Sequence, residues 1–228
     1  MRELGGLIHV AGVVDLVEAR MLVECGVGHL GLPLALDFHE PDLTVAEAAA
    51  MVSTMRRGAD FFVITYLDSS RAVADLCSAV GVSRVQLHGP IELSEIRELR
   101  CAWPELHVIK SLIAHDDNFS ALRGEAERFT PWVDAFIVDT FDPATGARGA
   151  TGKVHDWAIS RRLVESCSRP LILAGGLDPD NVRRAIAAVG PAGVDVHTGV
   201  EGPDGRKQRA RVERFVAQAR AAFRSPIT

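Results

Sequence analysis

The chain predicts a closed (β/α)8 barrel of the TIM-barrel type, a single domain over residues 1–228, and three observations lead there. Short apolar runs alternate with longer amphipathic stretches from one end to the other. The runs are continuous in Val, Ile and Leu, as in strands buried on both faces of a parallel sheet. Eight such units occupy 228 residues without a linker or low-complexity segment, so little chain is left for insertions. Strands alternating with helices imply βαβ units. An open doubly wound sheet rarely uses so many repeats of such even length.

Taken in order, the first run is Leu7–Val10 (LIHV), and a helical pattern follows at Val14–Cys25. Gly28–Leu32 is the second run, with a helix at Val45–Arg56, and Asp60–Thr65 (DFFVIT) is the third, with Ser70–Val80 behind it. Arg84–Leu87 precedes Ile91–Ala102, and Leu106–Lys110 precedes Asn118–Phe129. Asp134–Val138 leads to Asp156–Cys167, and Pro170–Ala174 to Asp178–Ala188. Gly193–Val196 completes the series, with a last helix at Lys207–Phe223.

Composition narrows the function classes. Hydrophobic residues make up 47% and charged residues 24%, ordinary for a globular protein able to bury a sizeable core. A net charge of −5 leaves no basic footprint, so no nucleic-acid partner is expected. No apolar run approaches the ~20 residues that span a bilayer, so no membrane partner is expected either. The opening MRELGGLIHV is too short and too charged for a signal peptide. Cys25, Cys77, Cys101 and Cys167 lack CxxC spacing and read as reduced, mostly structural thiols of a cytoplasmic protein. A monomer or homodimer acting on a phosphorylated small molecule is the expectation.

The phosphate comes from residues 170–201, PLILAGGLDPDNVRRAIAAVGPAGVDVHTGVE. One strand candidate ends in Gly175-Gly176, and the next stops at His197-Thr198-Gly199. Two successive glycine-bearing strand ends let backbone N–H groups approach an anion, and a helix beginning nearby adds its positive dipole end. In a barrel, the loops after strands 7 and 8 are where a substrate phosphate usually sits. Gly175, Gly176, Thr198 and Gly199 are therefore the candidate phosphate-binding residues. A lone Gly-Gly would be read only as a tight βα turn.

Chemistry in a barrel belongs at the C-terminal ends of its strands. Four of the eight histidines, His9, His39, His88 and His197, fall at or just after such ends. Side chains alternate along a strand, so His9 and Ala11 share a face, expected to be the interior one. His39, His88 and Lys110 are candidate substrate-binding residues, while Asp139 with His9 and His197 are candidate catalytic ones. Asp139 follows Ala135-Phe136-Ile137-Val138, so an apolar strand delivers one carboxyl to the mouth. Partial burial there would raise its pKa and suit it to general-acid work. The alternative is a carboxylate that caps the next turn through Thr140. The segment Gly149-Ala150-Thr151-Gly152-Lys153 reads as a mobile lid or a backbone contact to substrate, and does not have P-loop spacing.

The order of these pieces resembles the phosphoribosylanthranilate isomerase family over nearly the whole chain. The resemblance rests on Val85-Gln86-Leu87-His88-Gly89, Phe136-Ile137-Val138-Asp139 and Gly149-Ala150-Thr151-Gly152-Lys153 with Asp156-Trp157. It continues in Leu173-Ala174-Gly175-Gly176-Leu177 with Asn181-Val182, and in Val194-Asp195-Val196 with Gly199-Val200-Glu201. It implies an Amadori rearrangement of an aminoaldose phosphate to an aminoketose phosphate. An acid matching Asp139 opens the furanose ring to a Schiff base, and a base at the end of strand 1 then removes the C2 proton.

The departures fall on that base and on the aglycone. The family reads Lys-Ile-Cys-Gly at strand 1, with the cysteine as base; this chain reads His9-Val10-Ala11-Gly12, and a methyl group accepts no proton. After strand 2 the family has Ser-Pro-Arg, whose arginine holds the anthranilate carboxylate; here the segment is His39-Glu40-Pro41. Its usual Ser-Ser-Gly is His197-Thr198-Gly199. Losing a general base typically costs ~10²–10⁴ in rate. These departures lead to the expectation of a divergent paralogue, an isomerase, epimerase or lyase with altered aglycone specificity. Two alternatives stand beside it: an authentic phosphoribosylanthranilate isomerase with a substitute base, and a non-catalytic phosphosugar-binding protein.

Three uses are open for the added histidines. His9 and His197, on strands that become neighbours when the barrel closes, are expected to face each other across the mouth, with His39 beyond. They can supply a neutral imidazole base, hydrogen-bond a new substrate, or join Asp37 or Glu40 around a divalent metal. The expectation is no cofactor, with the divalent metal kept as an open possibility.

Overall fold

The computed structural model describes residues 5–36, 43–56, 58–115, 118–140 and 156–224. Strands and helices alternate as β1 (Leu7–Val10), α1 (Leu16–Glu24), β2 (His29–Pro33), α2 (Val45–Met55), β3 (Asp60–Thr65) and α3 (Ser70–Val80). The series continues through β4 (Arg84–Leu87), α4 (Leu93–Ala102), β5 (His107–Ala114), α5 (Phe119–Phe129), β6 (Ala135–Thr140) and α6 (Trp157–Ser166). It ends with β7 (Leu171–Leu173), α7 (Val182–Val189), β8 (Gly193–Val196), a 3-10 turn (Thr198–Val200) and α8 (Arg209–Arg224). The strands pair in chain order and close β8 onto β1, every pair parallel.

Two-residue alternation splits the buried apolar side chains into two sets. Leu7, Phe62, Ile109, Ala135, Ile137, Ile172 and Ala174 fill the barrel interior. The intervening residues, such as Val10, Leu32, Val85, Val108, Phe136 and Val194, join the helices in the larger outer core. Helix starts follow local chemistry. The Asp15 carboxylate accepts from the N–H of Glu18 at the start of α1, and Thr44 and Glu47 form a reciprocal capping box on α2. Left-handed glycines, Gly81 and Gly190, end α3 and α7.

Several boundaries move relative to expectation, and two of the shifts bear on Asp139 and the β7 loop. β6 runs through Asp139 to Thr140, so Asp139 lies within the strand rather than after it. α7 begins at Val182 instead of Asp178, because the Asp178 carboxylate draws the N–H groups of Asp180 and Asn181 into a turn of their own. The buried thiol of Cys77 is pushed up to about 12, which makes it inert, as expected of a structural cysteine.

At the opposite end of the barrel, burial holds the His29 imidazole below its ordinary pKa, with charge on His9 adding to the effect and Asp60 opposing it. The unfolded chain therefore binds more protons than the folded one just below pH ~6.5, so stability is present above that value and declines as pH falls through it. Urea unfolding between about pH 5 and 7 is expected to show this slope, and His29→Gln is expected to flatten it.

Candidate active site

Asp139 occupies the last inward-facing position of β6, above Ala135 and Ile137. Its residue is 6% exposed, and its Oδ1 accepts the backbone N–H of Thr140 at 2.7 Å. The local turn contact weighed for this carboxylate is thus present, in a residue that also sits at the barrel mouth. Carboxylate and turn are both parts of the site.

The two glycine loops meet beside it. Gly175 and Gly176 both have positive φ, 85° and 61°, a geometry open to glycine at little cost. A Cβ on Gly175 would lie 2.0 Å from the Thr140 hydroxyl oxygen, and one on Gly199 would lie 1.8 Å from the carbonyl oxygen of Leu177. The end of β6, the loop after β7 and the 3-10 turn after β8 are therefore in backbone contact. Asn181 ties the β7 loop: its Nδ2 donates to the Gly176 carbonyl at 2.8 Å, and its Oδ1 accepts the Asp178 N–H at 3.0 Å. From α8, Arg211 Nη2 donates to the carbonyl of Gly199 at 3.0 Å. Gly175, Gly176, Thr198 and Gly199 are brought together, as expected. The expected helix contribution is smaller, since the carboxylate of Asp178 already occupies the turn before α7. Gly199→Ala cannot be accommodated without separating the two loops. It is expected to lower kcat/KM by about 10²-fold, the scale of a misplacement near 1 Å, in a steady-state assay.

His88 lies inward on the loop after β4. Its Nδ1 meets Gln86 Nε2 at 3.2 Å and Ser111 Oγ at 3.0 Å, and Tyr66 packs edge-on against the ring with centroids 5.1 Å apart. An amide nitrogen only donates, so in the contact with Gln86 it is Nδ1 that accepts. Lys110 is a correction. It points away from the interior into the helix layer, where Nζ donates to the carbonyls of Gly89 and Ser111 at 3.2 and 2.9 Å and lies 3.8 Å from Glu125 of α5. The inward neighbour is Ser111. Counting alternate residues from Ile109 would have found it, since a one-residue shift exchanges the two faces.

The histidine pair is a second correction. His9 does not reach the mouth: it is 4% exposed, with Nδ1 2.7 Å from Asp195 Oδ1 and its ring edge-on to Phe62 at 5.1 Å. It fills the niche over Gly31, whose Cβ would lie 2.8 Å from the ring. Its Nε2 is buried without a hydrogen-bond partner among the described residues. His197 stands two residues above Asp195 and reaches sideways to β1, its Nε2 2.0 Å from where a Cβ on Gly12 would be. The same Nε2 is 3.3 Å from Glu201 Oε1, which in turn takes Lys207 Nζ at 2.6 Å. The two imidazoles are thus at different depths on adjacent strands, not opposed across the mouth. Asp195, Glu201 and Lys207 were missed as partners. The one charged residue in buried β8 was the available signal for Asp195.

Asp37, His39, Glu40 and the segment Gly149–Lys153 lie outside the described residues. Among the described residues no three His, Cys, Asp or Glu side chains are grouped to hold a metal ion. None of the described helices is long and apolar enough to cross a membrane.

A closed eight-stranded parallel barrel, with Asp139, His88, His197 and two apposed glycine loops at the C-terminal ends of its strands, defines a single-domain (β/α)8 protein of the enzyme-bearing type. The family described as N-(5'phosphoribosyl)anthranilate (PRA) isomerase matches residues 47–218. The N-(5'-phosphoribosyl)anthranilate isomerase 2 of Methanosarcina mazei is 36% identical, with 95% of each chain covered. Among solved structures, the phosphoribosyl anthranilate isomerase of Thermotoga maritima superposes with a TM-score of 0.79 at 24% identity, covering 94% of this chain and 98% of its own. A PRAI solved in complex with reduced 1-(O-carboxyphenylamino)-1-deoxyribulose 5-phosphate gives 0.77 at 23%, with the same coverage. These structures establish the fold, and the sequence matches establish the family. The chain belongs to the N-(5'-phosphoribosyl)anthranilate isomerase family, a family of isomerases.

Proposed function

We propose that this protein is a phosphoribosylanthranilate isomerase, converting N-(5'-phosphoribosyl)anthranilate to its aminoketose phosphate by an Amadori rearrangement with a substitute general base. The observation that carries this reading is the 36% identity, over 95% of both chains, to a relative bearing that name. It favours this alternative over the expectation of a paralogue with a different aglycone. Asp139 protonates the furanose ring oxygen, and the ring opens to a Schiff base. N–H groups of Gly175, Gly176, Thr198 and Gly199 hold the phosphate, which anchors the sugar across the mouth. Purified protein is expected to consume phosphoribosylanthranilate, read as loss of its fluorescence. The gene is expected to restore growth of a tryptophan auxotroph lacking this isomerase. Inactivity in both overturns the reading.

Ala11 and the His39-Glu40-Pro41 segment favour one second reading, the same rearrangement on an adduct whose amine carries no carboxylate. Turnover of such an adduct in preference to the anthranilate one would select it.

A further inference from the structure

The end of the barrel opposite the mouth carries a second concentration of charge. Strands β2 to β5 open on His29, Asp60, Arg84 and His107, a titratable residue at every start. The register sets His29 against Asp60 and Arg84 against His107, so the four form a row along this rim. Asp60 Oδ2 lies 3.2 Å from Arg84 Nη2 and 3.7 Å from His29 Nε2. A row that served only to tie strand ends together would close over the core. This one borders a cavity of about 710 Å³, well within the size range of small-molecule sites. Leu7, Phe62, Ile109 and Ala135, all from the inward-facing set, give the cavity an apolar floor.

The charges of the lining do not cancel. Its two carboxylates are already taken, Asp60 by Arg84, and Asp134 by Arg100 of α4 at 3.1 Å and by the Val108 N–H at 2.8 Å. Arg56 and Arg169 line the same cavity, and neither pairs with a carboxylate among the described residues. Arg169 is held in place by Nε, which donates to the Thr130 carbonyl at 2.9 Å. Arg56, at the end of α2, is exposed. We infer that this cavity is a second ligand site, separate from the mouth, and that it takes a small carboxylate with an apolar body. A guanidinium fork matches a carboxylate in two parallel hydrogen bonds, and the floor beneath removes hydrocarbon from water. An inorganic anion would use the arginines and leave the floor uncovered. A neutral hydrocarbon would cover the floor and leave the two guanidinium charges unanswered. None of these lining residues is part of the mouth, so the site is independent of the isomerase reading.

The test is a titration of the whole protein with benzoate, with its neutral isostere benzamide and with inorganic phosphate, followed by backbone amide chemical shifts. Benzoate is expected to bind saturably in the millimolar range or tighter, shifting Gly58, Phe62, Ile109 and Ala135. Benzamide is expected to bind about 10-fold more weakly or worse, because it forms no charge-assisted bond to the arginines. Arg56→Gln combined with Arg169→Gln is expected to weaken benzoate by a similar factor and to leave benzamide unchanged. Arg56→Gln alone, at an exposed position, is expected to show part of the same loss and keeps the test open if the double variant unfolds. Equal affinity for benzoate and benzamide, or benzoate affinity unchanged in these variants, overturns the assignment. So does the absence of saturable benzoate binding, or shifts confined to Gly175, Gly176, Thr198 and Gly199. Phosphate binding at the cavity as tightly as benzoate overturns the ligand class and makes this a site for inorganic anions. Each of these results leaves the isomerase reading standing.

Discussion

Asp139→Asn is expected to lower kcat by about 10²–10⁴ while leaving the melting temperature within a few degrees of wild type. The separation of the two readouts follows from a contact that Asp139 makes with its own turn. Its Oδ1 accepts the Thr140 N–H at 2.7 Å, and an asparagine Oδ1 accepts the same bond. The turn, the strand end and the neighbouring Gly175 loop therefore stay in place. What the amide cannot do is deliver a proton to a ring oxygen. Asp139→Ala would confound the experiment by leaving a buried N–H without its acceptor, at a cost of about 1–3 kcal/mol. If Asp139→Asn keeps full kcat with an unchanged KM, the carboxylate serves only as the cap of its own turn. The measurement is kcat and KM by substrate fluorescence, with thermal unfolding monitored in parallel.

Asp195→Ala is expected to destabilise the fold by about 1–3 kcal/mol, the scale for leaving a buried polar group without its hydrogen bond. The pair with His9 is short, 2.7 Å, and the two side chains are only 5% and 10% exposed. The second imidazole nitrogen has no hydrogen-bond partner among the described residues, so losing Asp195 leaves the buried ring without a hydrogen bond to any of them. Replacing both partners together by apolar residues is expected to cost much less, because no stranded polar group remains. Urea unfolding of the two single variants and the double variant measures this as a cycle. Equal and additive losses would show that the pair is not coupled. Asp195 lies two residues before His197, which directly follows β8, so the single variant is also expected to loosen the mouth and raise KM.

Much of the fold was legible because its signals are local. Each strand is a short Val/Ile/Leu run and each helix an amphipathic stretch, and the boundaries of β1, β3, β4, α3 and β8 match the reading from pattern alone. The phosphate-loop candidates and Asp139 were legible for a related reason. Glycine pairs at strand ends and a single carboxyl at the end of an apolar strand are visible without knowing what stands opposite. Lys110 failed because the face a strand residue takes depends on parity. β5 extends four residues beyond its expected end, to Ala114, and Lys110 lies inside it on the helix side.

The sequence by itself determined the eight repeated units, their parallel closure, the glycine loops and the lone carboxyl of β6, since these follow from periodicity and residue type within a few turns of chain. Only the tertiary structure decided which histidine reaches the mouth. Closure sets β1 against β8, joining His9 to Asp195 across 186 residues, and the parallel register puts that pair one layer down. The same closure leaves the side-chain volume missing at Gly12 to be filled by His197. No local pattern encodes either contact, because each depends on the stagger with which the first and last strands meet.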